Sequence, residues 1–274
     1  MELIALGPCI GVQVEGLSPA DLLDAETAAA LLDALEHHGV LAFRGLHIDD
    51  ASQVAFSRML GEPEILPMRS GEHPEIFVVS LDPEKALSAE YLKGTFYWHI
   101  DGATDDIPNK ATMLHALGVA ADGGGTEFCN TYAAWDALPE ADRARYRDVR
   151  VVHSFEAAQR LTNPDPTDEQ LEFWRQRAVK EQPLAWTHES GRTSLVLGAT
   201  VDHVVGMDRD EGRAMIDELE AWATDERFVY RHEWQVGDLV IWDNRGTMHR
   251  ALPYTADSER LMHRTTLVGE EAFA

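Results

Sequence analysis

The chain has 274 residues, of which 45% are hydrophobic, so it can bury a core of ordinary size for a globular protein. Acidic residues number 48 and basic residues 23, which gives a formal net charge of -25. A charge of this sign repels nucleic acid and anionic membranes, and the composition therefore disfavours both as partners. The two cysteines, Cys9 and Cys129, are isolated and fit neither a disulfide framework nor a zinc motif. With no signal-peptide pattern and no apolar run of about 20 residues, these features predict a soluble, cytoplasmic protein.

The first half of the chain begins with two helices separated by a strand. The segment ETAAALLDALEHH, closed by Gly39, predicts a helix, and VLAFR at 40–44 predicts a buried strand. IDDASQVAFSRMLG predicts a second helix, with an aspartate as N-cap and Gly61 at its end. Strand signals follow in EIFVVS, TFYWHI, ATMLHAL and TEFCNT.

The second half contains more strands and two helical inserts. The inserts are predicted at 166–178 and 208–224, and LAWTHESGRTSLVLG predicts a hairpin with its turn at Ser190 and Gly191. FVYRHEWQVGDLVIWDN, GTMHRAL and RLMHRTTLVG all have strand character. Many short strands, without regular alternation of strand and helix and without a linker, predict one domain over residues 1–274. Its core is expected to be a double-stranded β-helix, the cupin-like jelly roll, decorated by α-helices.

The stretch FYWHIDGATDD contains the first chemically suggestive pair. On a strand, His99 and Asp101 would point to one face and Ile100 to the other. The two side chains could then grip a ligand together. The spacing is common, however, and a strand end followed by a polar loop would also explain it.

A metal site built on this pair needs a third ligand, and His249 in WDNRGTMHRALPY is the leading candidate. It follows Asp101 by 148 residues, as expected when two distant strands meet in a barrel. Two imidazoles and one carboxylate on one face of an octahedral metal leave three positions open, as in non-haem Fe(II) oxygenases. We therefore predict that His99, Asp101 and His249 are metal ligands and catalytic residues.

The other histidines that we considered are expected to be structural. His37 and His38 fall in the last turn of a helix, where a cation suits the helix dipole. His263 neighbours Arg264 on a strand and must face the opposite way. Five more have no carboxylate or histidine at a defensible ligand spacing on the same face: His115, His153, His188, His203 and His232.

Two arginines and a threonine suggest that the site also holds anions. Arg260 and Arg264 are four residues apart, so on a strand both share one face, with Met262 between them. Buried guanidinium groups are costly unless anions meet them, although two surface arginines paired with acids remain an alternative. Thr126 opens a strand after three glycines, which by itself is also compatible with an ordinary loop.

As a set, these motifs resemble the taurine dioxygenase (TauD/TfdA) family, which includes chlorophenoxyacetate dioxygenases. The resemblance rests on His99-x-Asp101, on Thr126 after a glycine-rich turn, and on His249 within WDNR..MHRA. Arg260 and Arg264 follow His249 by eleven and fifteen residues. The resemblance covers nearly the whole chain, including IGVQVEGL, HHGVLAFRG and ASQVAFSRMLGEPE.

The resemblance implies an oxidoreductase that uses Fe(II), 2-oxoglutarate and O2. Iron would be held by His99, Asp101 and His249, while Thr126 and Arg260 would bind the two ends of 2-oxoglutarate. The reaction would hydroxylate a small-molecule substrate and release succinate and CO2, with or without cleavage of a C–S or C–O bond. Because Asp101 is a carboxylate, no position is left for a halide, and hydroxylation is expected rather than halogenation.

Substrate recognition is expected to involve an anion. By resemblance, Arg264 would contact a sulfonate, sulfate ester or carboxylate of the substrate. Tyr97, Ser154 and Phe155 are predicted to form the roof of the pocket over an apolar substrate body. Thr95 stands where the taurine enzyme has an asparagine, and the histidine and tyrosine that bind taurine have no clear match in EPEILPMRSGEHPE. LVLGATVDHVV also lacks the asparagine that is usual in that stretch. These departures argue against taurine itself.

Two other functional classes remain open at this point. A zinc-dependent hydrolase could use the same three ligands with a metal-bound water, but it has no need of Thr126 and Arg260 as a clamp. A non-catalytic jelly-roll binding protein would leave the three ligands idle. The sequence also leaves open a homo-oligomer, as a dimer or tetramer.

Overall fold

The structure of the chain, a computed structural model, describes residues 1–65, 72–86 and 89–274. The middle of the segment EPEILPMRSGEHPE, residues 66–71, therefore lies outside the described residues. Within the described ranges the fold is mixed α/β and dominated by strands, which confirms the predicted balance of elements. The strands are β1 (Glu2–Ala5), β2 (Val12–Glu15), β3 (Val40–Phe43), β4 (Phe77–Val79), β5 (Ala111–Gly118), β6 (Thr126–Asn130), β7 (Arg150–Ser154), β8 (Val179–Pro183), β9 (Ala185–Thr187), β10 (Thr193–Leu195), β11 (Val201–Val204), β12 (Val229–His232), β13 (Leu239–Asp243), β14 (Thr247–Ala251) and β15 (Leu261–Leu267). The α-helices are α1 (Ala25–His38), α2 (Asp50–Leu60), α3 (Thr131–Asp136), α4 (Glu140–Tyr146), α5 (Phe155–Arg160), α6 (Asp168–Arg175) and α7 (Arg209–Ala223).

The largest sheet has seven strands in the order β1-β2-β3-β13-β5-β15-β4, and all its pairs are antiparallel except β2 with β3. One face is covered by α1 and α2, whose Leu31 and Phe56 pack with Met113 and Ile241 of the sheet. Because side chains alternate along a strand, the neighbouring residues of β5 and β13 point to the opposite face. That opposite face carries the candidate site.

A second sheet, in the order β12-β6-β14, packs on this opposite face. Phe128 of β6 lies in one buried cluster with Leu114 of β5 and Trp242 of β13. The ring centroids of Phe128 and Trp242 are 5.4 Å apart. The helices, the large sheet and the small sheet therefore form three layers, and the site lies between the two sheets.

The four predicted helices form close to their expected bounds. In α1, the side chain of Asp24 accepts a hydrogen bond from the amide of Thr27. Gly39 ends the helix at a positive φ of 70°, a backbone conformation that glycine adopts without strain. In α2, Asp49 is the N-cap and Gly61 the C-cap. The inserts at 166–178 and 208–224 appear as α6 and α7.

The predicted strand TFYWHI is wrong. Residues Leu92–Phe96 form a short 3-10 helix, and the hydroxyl of Thr95 donates to the carbonyl of Leu92 at 2.6 Å. This local side-chain bond competes with strand pairing. Only His99 keeps a strand-like contact, as an isolated antiparallel bridge with His249. Asp101 already belongs to the following turn.

The predicted strand FVYRHEWQVGDLVIWDN is two strands that belong to different sheets. β12 pairs with β6 in the small sheet, whereas β13 lies at the centre of the large sheet. Between them, Asp238 is fully buried and accepts hydrogen bonds from Arg44, Gly45, His232 and Gln235. The segment between β12 and β13 is therefore stabilised by one carboxylate, which accepts hydrogen bonds from residues in or next to both sheets.

Asp238 gives a stability prediction. Burial alone would raise its pKa, but hydrogen bonds from His232, Gly45 and Gln235 and the charge of Arg44 lower the pKa to about 2. A lowered folded-state pKa means that the stabilisation is present above the unfolded value near 3.8 and is lost as the pH falls towards 2. We expect Asp238→Asn to lower the free energy of unfolding at pH 7 by about 1.5 to 3 kcal/mol. In chemical denaturation the difference from the parent should shrink below pH 4, while Asp165→Asn, at an exposed site, should change little.

Several short elements were not predicted, among them β1, β2, β7, β8, β11, α3, α4 and α5. They are four to seven residues long, and periodicity is weak over such lengths. No helix among the described residues is long and apolar enough to cross a bilayer.

Candidate active site

The three predicted metal ligands come together between the two sheets. Nε2 of His99 lies 4.0 Å from Oδ1 of Asp101, and Nε2 of His249 lies 3.9 Å from Oδ2 of the same carboxylate. One donor atom from each residue lies within 4.8 Å of the other two. In the part of the chain that the structure describes, this is the only group of three or more such ligands. Two imidazoles and one carboxylate form the donor set of a facial triad.

The two histidines are tied to each other through the backbone. The amide of His99 donates to the carbonyl of His249 at 3.0 Å, and the amide of His249 donates back at 2.9 Å. The ring centroids are 4.1 Å apart. Nδ1 of His99 lies 2.9 Å from the carbonyl oxygen of Tyr97. A proton on Nδ1 would satisfy that carbonyl and leave the lone pair of Nε2 free for a metal.

Asp101 is held by a chain of polar side chains. Its Oδ2 accepts a hydrogen bond of 2.7 Å from the hydroxyl of Thr112. That hydroxyl in turn accepts one of 2.9 Å from the side-chain amide of Asn244. On the other side, Nη1 of Arg264 lies 3.6 Å from Oδ1. Such contacts orient a ligating carboxylate in the way that outer-shell partners do in metal sites.

The charges of the group suit a divalent cation. Burial disfavours ionisation of Asp101, but Arg264, His249, His99 and the Thr112 hydroxyl together lower its pKa below the usual range. Burial and the neighbouring His99 lower the pKa of His249 well below its ordinary value. At neutral pH the group therefore offers an anionic carboxylate with a neutral His249, which are the ligand forms that a metal requires. The residues present fit an Fe(II) ion.

A cavity opens beside the two histidines, with apolar walls and a cationic end. The polar groups that line it are His99, His249, Thr95, Thr126, Arg260 and Arg264. The remaining wall consists of Val79, Leu92, Leu114, Trp242 and Ala251. The lining thus combines six polar residues with five apolar ones, and convergent polar groups beside apolar surface are typical of a small-molecule site, where they fix the orientation of the ligand.

Arg260 and Thr126 lie together at this cavity. Arg260 is 2% exposed, donates to the carbonyl of Gly124 at 3.1 Å and lies 3.3 Å from the hydroxyl of Tyr254. No carboxylate among the described residues pairs with it, and burial lowers its pKa. Thr126 is also buried and accepts a hydrogen bond of 2.9 Å from Nε1 of Trp234. A buried cation without a counter-ion is costly, so the pair is suited to an anionic ligand.

Arg264 lines the same cavity, although the geometry differs from the expected one. Arg260 immediately precedes β15, and the register shifts between Leu261 and Met262, so the two arginines do not simply alternate along one strand. Arg264 lies over the ring of Phe77, with its guanidinium carbon 4.7 Å from the centroid. Its buried Nε has no hydrogen-bond partner among the described residues. Arg264 therefore has a free donor beside the ligand group.

The three residues predicted for the roof do not line this cavity. Ser154 is the N-cap of α5 and accepts from the amide of Ala157 at 3.1 Å, a role that occupies its hydroxyl. Phe155 packs against Tyr91 with ring centroids 5.9 Å apart. Tyr97 is 39% exposed and donates its hydroxyl to the carbonyl of Leu161. Leu92 and Thr95 stand in the lining instead. Thr95 was noted in the sequence only as the position where the taurine enzyme has an asparagine, and the sequence offered no signal for Leu92.

The histidines that were expected to be structural lie outside the ligand group, and most of them contact other polar residues. His37 and His38 end α1, and Nδ1 of His263 lies 2.6 Å from Asp50 on the helix-covered side. Carboxylates do lie within 3.4 Å of His188, His203 and His232, namely Glu271, Asp202 and Asp238, but among the described residues none of these pairs has the third ligand of a metal group. Nδ1 of His153 lies 2.8 Å from the hydroxyl of Thr200. Both ring nitrogens of His115 are buried without a partner in the described ranges, and burial lowers the pKa of this imidazole.

The chain is similar to known proteins over almost its full length. It is 34% identical over 271 residues to the alpha-ketoglutarate-dependent 2,4-dichlorophenoxyacetate dioxygenase of Burkholderia sp. (strain RASC), covering 92% of this chain and 87% of the relative. It is 33% identical to the alpha-ketoglutarate-dependent sulfate ester dioxygenase of Pseudomonas putida, covering 95% and 87%. Among solved structures it resembles AAD-2 in complex with Mn(II) and N-oxalylglycine, with a TM-score of 0.85, 31% identity and coverage of 100% and 99%. Residues 2–266 match the family model described as taurine catabolism dioxygenase TauD, TfdA family. With the ligand group and the cationic cavity in place, this match shows that the chain belongs to the TauD/TfdA family of dioxygenases.

Proposed function

We propose that this chain is an Fe(II)- and 2-oxoglutarate-dependent dioxygenase that hydroxylates a small anionic organic substrate. The observation that carries the proposal is the position of the ligand group. His99, Asp101 and His249 lie beside a cavity whose buried Arg260 has no carboxylate partner among the described residues. A metal centre with open positions next to a free cation suits a cosubstrate that both chelates the metal and carries a distal carboxylate.

In this proposal the chain contributes binding, orientation and exclusion of water. His99, Asp101 and His249 hold Fe(II), and Thr112 and Asn244 fix the carboxylate of Asp101. Bound iron supplies the activation of dioxygen that couples decarboxylation of 2-oxoglutarate, with release of succinate and CO2, to hydroxylation of the substrate.

Arg260 is hydrogen-bonded to the backbone of Gly124, two residues before Thr126, so we assign both Arg260 and Thr126 to the distal carboxylate of 2-oxoglutarate and not to its two ends, as the resemblance implied. Arg260 offers charge-assisted hydrogen bonds, and the hydroxyl of Thr126 offers one donor. The similar structure of AAD-2 contains N-oxalylglycine, which carries two carboxylates as 2-oxoglutarate does, and this supports a dicarboxylate cosubstrate for the site.

The primary substrate is assigned to the part of the cavity near Arg264. The guanidinium would pair with its anionic group, while Leu92, Leu114 and Val79 would contact an apolar body. The hydroxyl of Thr95 is bound to the carbonyl of Leu92 and so is not directed at a substrate. The names of the two relatives specify a carboxylate and sulfate esters, both anions. Hydroxylation at a carbon bonded to oxygen or sulfur gives a product that collapses to a carbonyl compound, with cleavage of that bond.

Arg264→Gln tests the substrate assignment. The parent would first be screened with sulfonates, alkyl sulfates, aryloxyalkanoates and fatty-acid derivatives for substrate-dependent formation of succinate. With the substrate found, we expect kcat/KM of the variant to fall at least about 30-fold, because a buried charge pair contributes about 2 kcal/mol or more. The absorption band of the anaerobic Fe(II) and 2-oxoglutarate complex should persist. Arg213→Gln, on α7 and paired with Asp217, is the matched control.

Two outcomes would contradict the role of Arg264. Loss of the band would assign Arg264 to the cosubstrate or to Asp101, and unchanged turnover would show that Arg264 does not bind the anionic group of the substrate. Family membership favours an oxygenase over the zinc-dependent hydrolase and the non-catalytic binding protein.

Two wider expectations belong to the same proposal. We propose that residues 1–274 form one domain with a double-stranded β-helix core, which the packing of the small sheet on the large sheet supports. We further propose that the enzyme works in the cytoplasm, and the isolated free cysteines Cys9 and Cys129 are compatible with a reducing compartment.

A further inference from the structure

A tryptophan outside the metal group makes a direct contact with a residue of the cosubstrate site. Nε1 of Trp234 donates a hydrogen bond of 2.9 Å to Oγ1 of Thr126. An indole N–H can only donate, whereas a threonine hydroxyl has one proton to donate and two lone pairs that accept. Thr126 must therefore act as the acceptor in this contact. Its own proton stays available for another partner, and Thr126 lines the cavity.

The register between β12 and β6 places Trp234 close to Thr126. In the pairing of β12 with β6, His232 is directly opposite Thr126. Trp234 follows two residues later, just past the end of β12, and its ring meets that of His232 edge to face at a centroid distance of 4.4 Å. The indole is 9% exposed and belongs to the cluster between the two sheets. It can therefore change orientation only if its neighbours move.

A network of buried hydrogen bonds holds the residues that contact Trp234. Nδ1 of His232 lies 2.8 Å from the hydroxyl of Tyr230, and Nε2 lies 3.1 Å from Asp238. Asp238 also pairs with Arg44 at 2.6 Å and accepts from the amide of Gln235, the residue that follows Trp234. Both the ring beneath the indole and the backbone beyond it are held by this carboxylate. The donor that Thr126 accepts from is thus held in place from outside the cavity.

We propose that Trp234 is a positioning residue for 2-oxoglutarate, which orients the hydroxyl of Thr126 to donate to the distal carboxylate. The inference rests on the proposed function, since it needs the carboxylate to bind at Thr126 and Arg260. The donated indole hydrogen bond also polarises the threonine hydroxyl and strengthens its donation, as in other hydrogen-bond chains. Without it, the hydroxyl would be free to rotate, and its proton would not be held towards the ligand.

The test is a binding measurement and does not depend on turnover. Isothermal titration calorimetry of the anaerobic Fe(II)-loaded protein would compare 2-oxoglutarate with 2-oxobutyrate, which has the same chelating end but no distal carboxylate. We expect Trp234→Phe to weaken 2-oxoglutarate by about three- to tenfold, the range for one hydrogen bond, and to leave 2-oxobutyrate unchanged. Trp222→Phe is the matched control, because Trp222 also donates one indole bond of 2.9 Å, to the carbonyl of Ala134 outside the cavity.

A double-mutant cycle separates positioning from general damage. Thr126→Val removes the hydroxyl and should weaken 2-oxoglutarate, whereas Thr126→Ser keeps it and should stay near the parent. Adding Trp234→Phe to Thr126→Val should bring little further loss, because the indole acts through the hydroxyl. Additive losses, an equal loss for 2-oxobutyrate, or no loss in Trp234→Phe would each overturn the inference. If the parent itself fails to bind 2-oxoglutarate, the proposed function falls, and this inference falls with it.

Discussion

Asp101→Ala is expected to abolish both iron binding and substrate turnover. The change removes the only anionic donor of the ligand group and leaves Arg264 without its nearest carboxylate, 3.6 Å away. Loss of an outer-shell partner alone typically weakens a metal by about 10- to 100-fold, so loss of the ligand should exceed about 100-fold. Iron content after desalting and the absorption band of the anaerobic 2-oxoglutarate complex measure the effect.

A matched control for this variant exists on the surface. Asp202 also has a histidine and an arginine beside it, His203 at 2.7 Å and Arg209 at 3.2 Å, but it lies outside the cavity. Asp202→Ala should keep iron and turnover. Should Asp101→Ala retain stoichiometric iron and the band, the assignment of the ligands would be wrong.

Arg260→Ala is expected to weaken 2-oxoglutarate by about 10- to 150-fold, with iron affinity little changed. A charge-assisted hydrogen bond to a carboxylate contributes about 1.5 to 3 kcal/mol, which corresponds to this range. Arg260 is the appropriate target because its neighbours Gly124 and Tyr254 do not neutralise its charge. Titration of the absorption band with 2-oxoglutarate gives the affinity.

The second arginine provides the comparison for this experiment. Arg264→Gln should leave 2-oxoglutarate affinity near that of the parent, whereas Arg260→Ala should not. Thermal melting of both variants would exclude unfolding as the cause. Equal 2-oxoglutarate affinity in Arg260→Ala and the parent would refute its role in binding the cosubstrate.

The residues of the candidate site that could be predicted are those with a fixed spacing along the chain. His99 and Asp101 form one local motif, and Arg260 and Arg264 have a set distance from His249. This information survived a wrong prediction of local structure, because the expected strand at TFYWHI is a 3-10 helix followed by a single bridge. The two-residue spacing predicted correctly that His99 and Asp101 lie together, although the strand on which that prediction was based does not form.

What could not be predicted depends on register between distant segments. Thr112 supports Asp101 from β5, and Trp234 reaches Thr126 because β12 pairs with β6. Neither contact follows from neighbours in sequence. The predicted roof residues do not line the cavity because a helix that was not predicted follows β7. Ser154 is the N-cap of this six-residue helix, and its hydroxyl accepts a hydrogen bond there. Helices of this length carry too little periodicity to be recognised.

The reciprocal backbone bonds between His99 and His249 have a consequence for how the site acquires its metal. The two imidazoles come from positions 150 residues apart, and closing so long a loop in a flexible chain carries a substantial entropic cost. Here that closure is part of the folded sheet contact, because the amide of each residue donates to the carbonyl of the other. An arriving cation therefore meets two donors already joined, and its binding free energy need not be spent on assembling the chain around it. Metal exchange can in this way proceed on a folded protein, as a local event between two sheets.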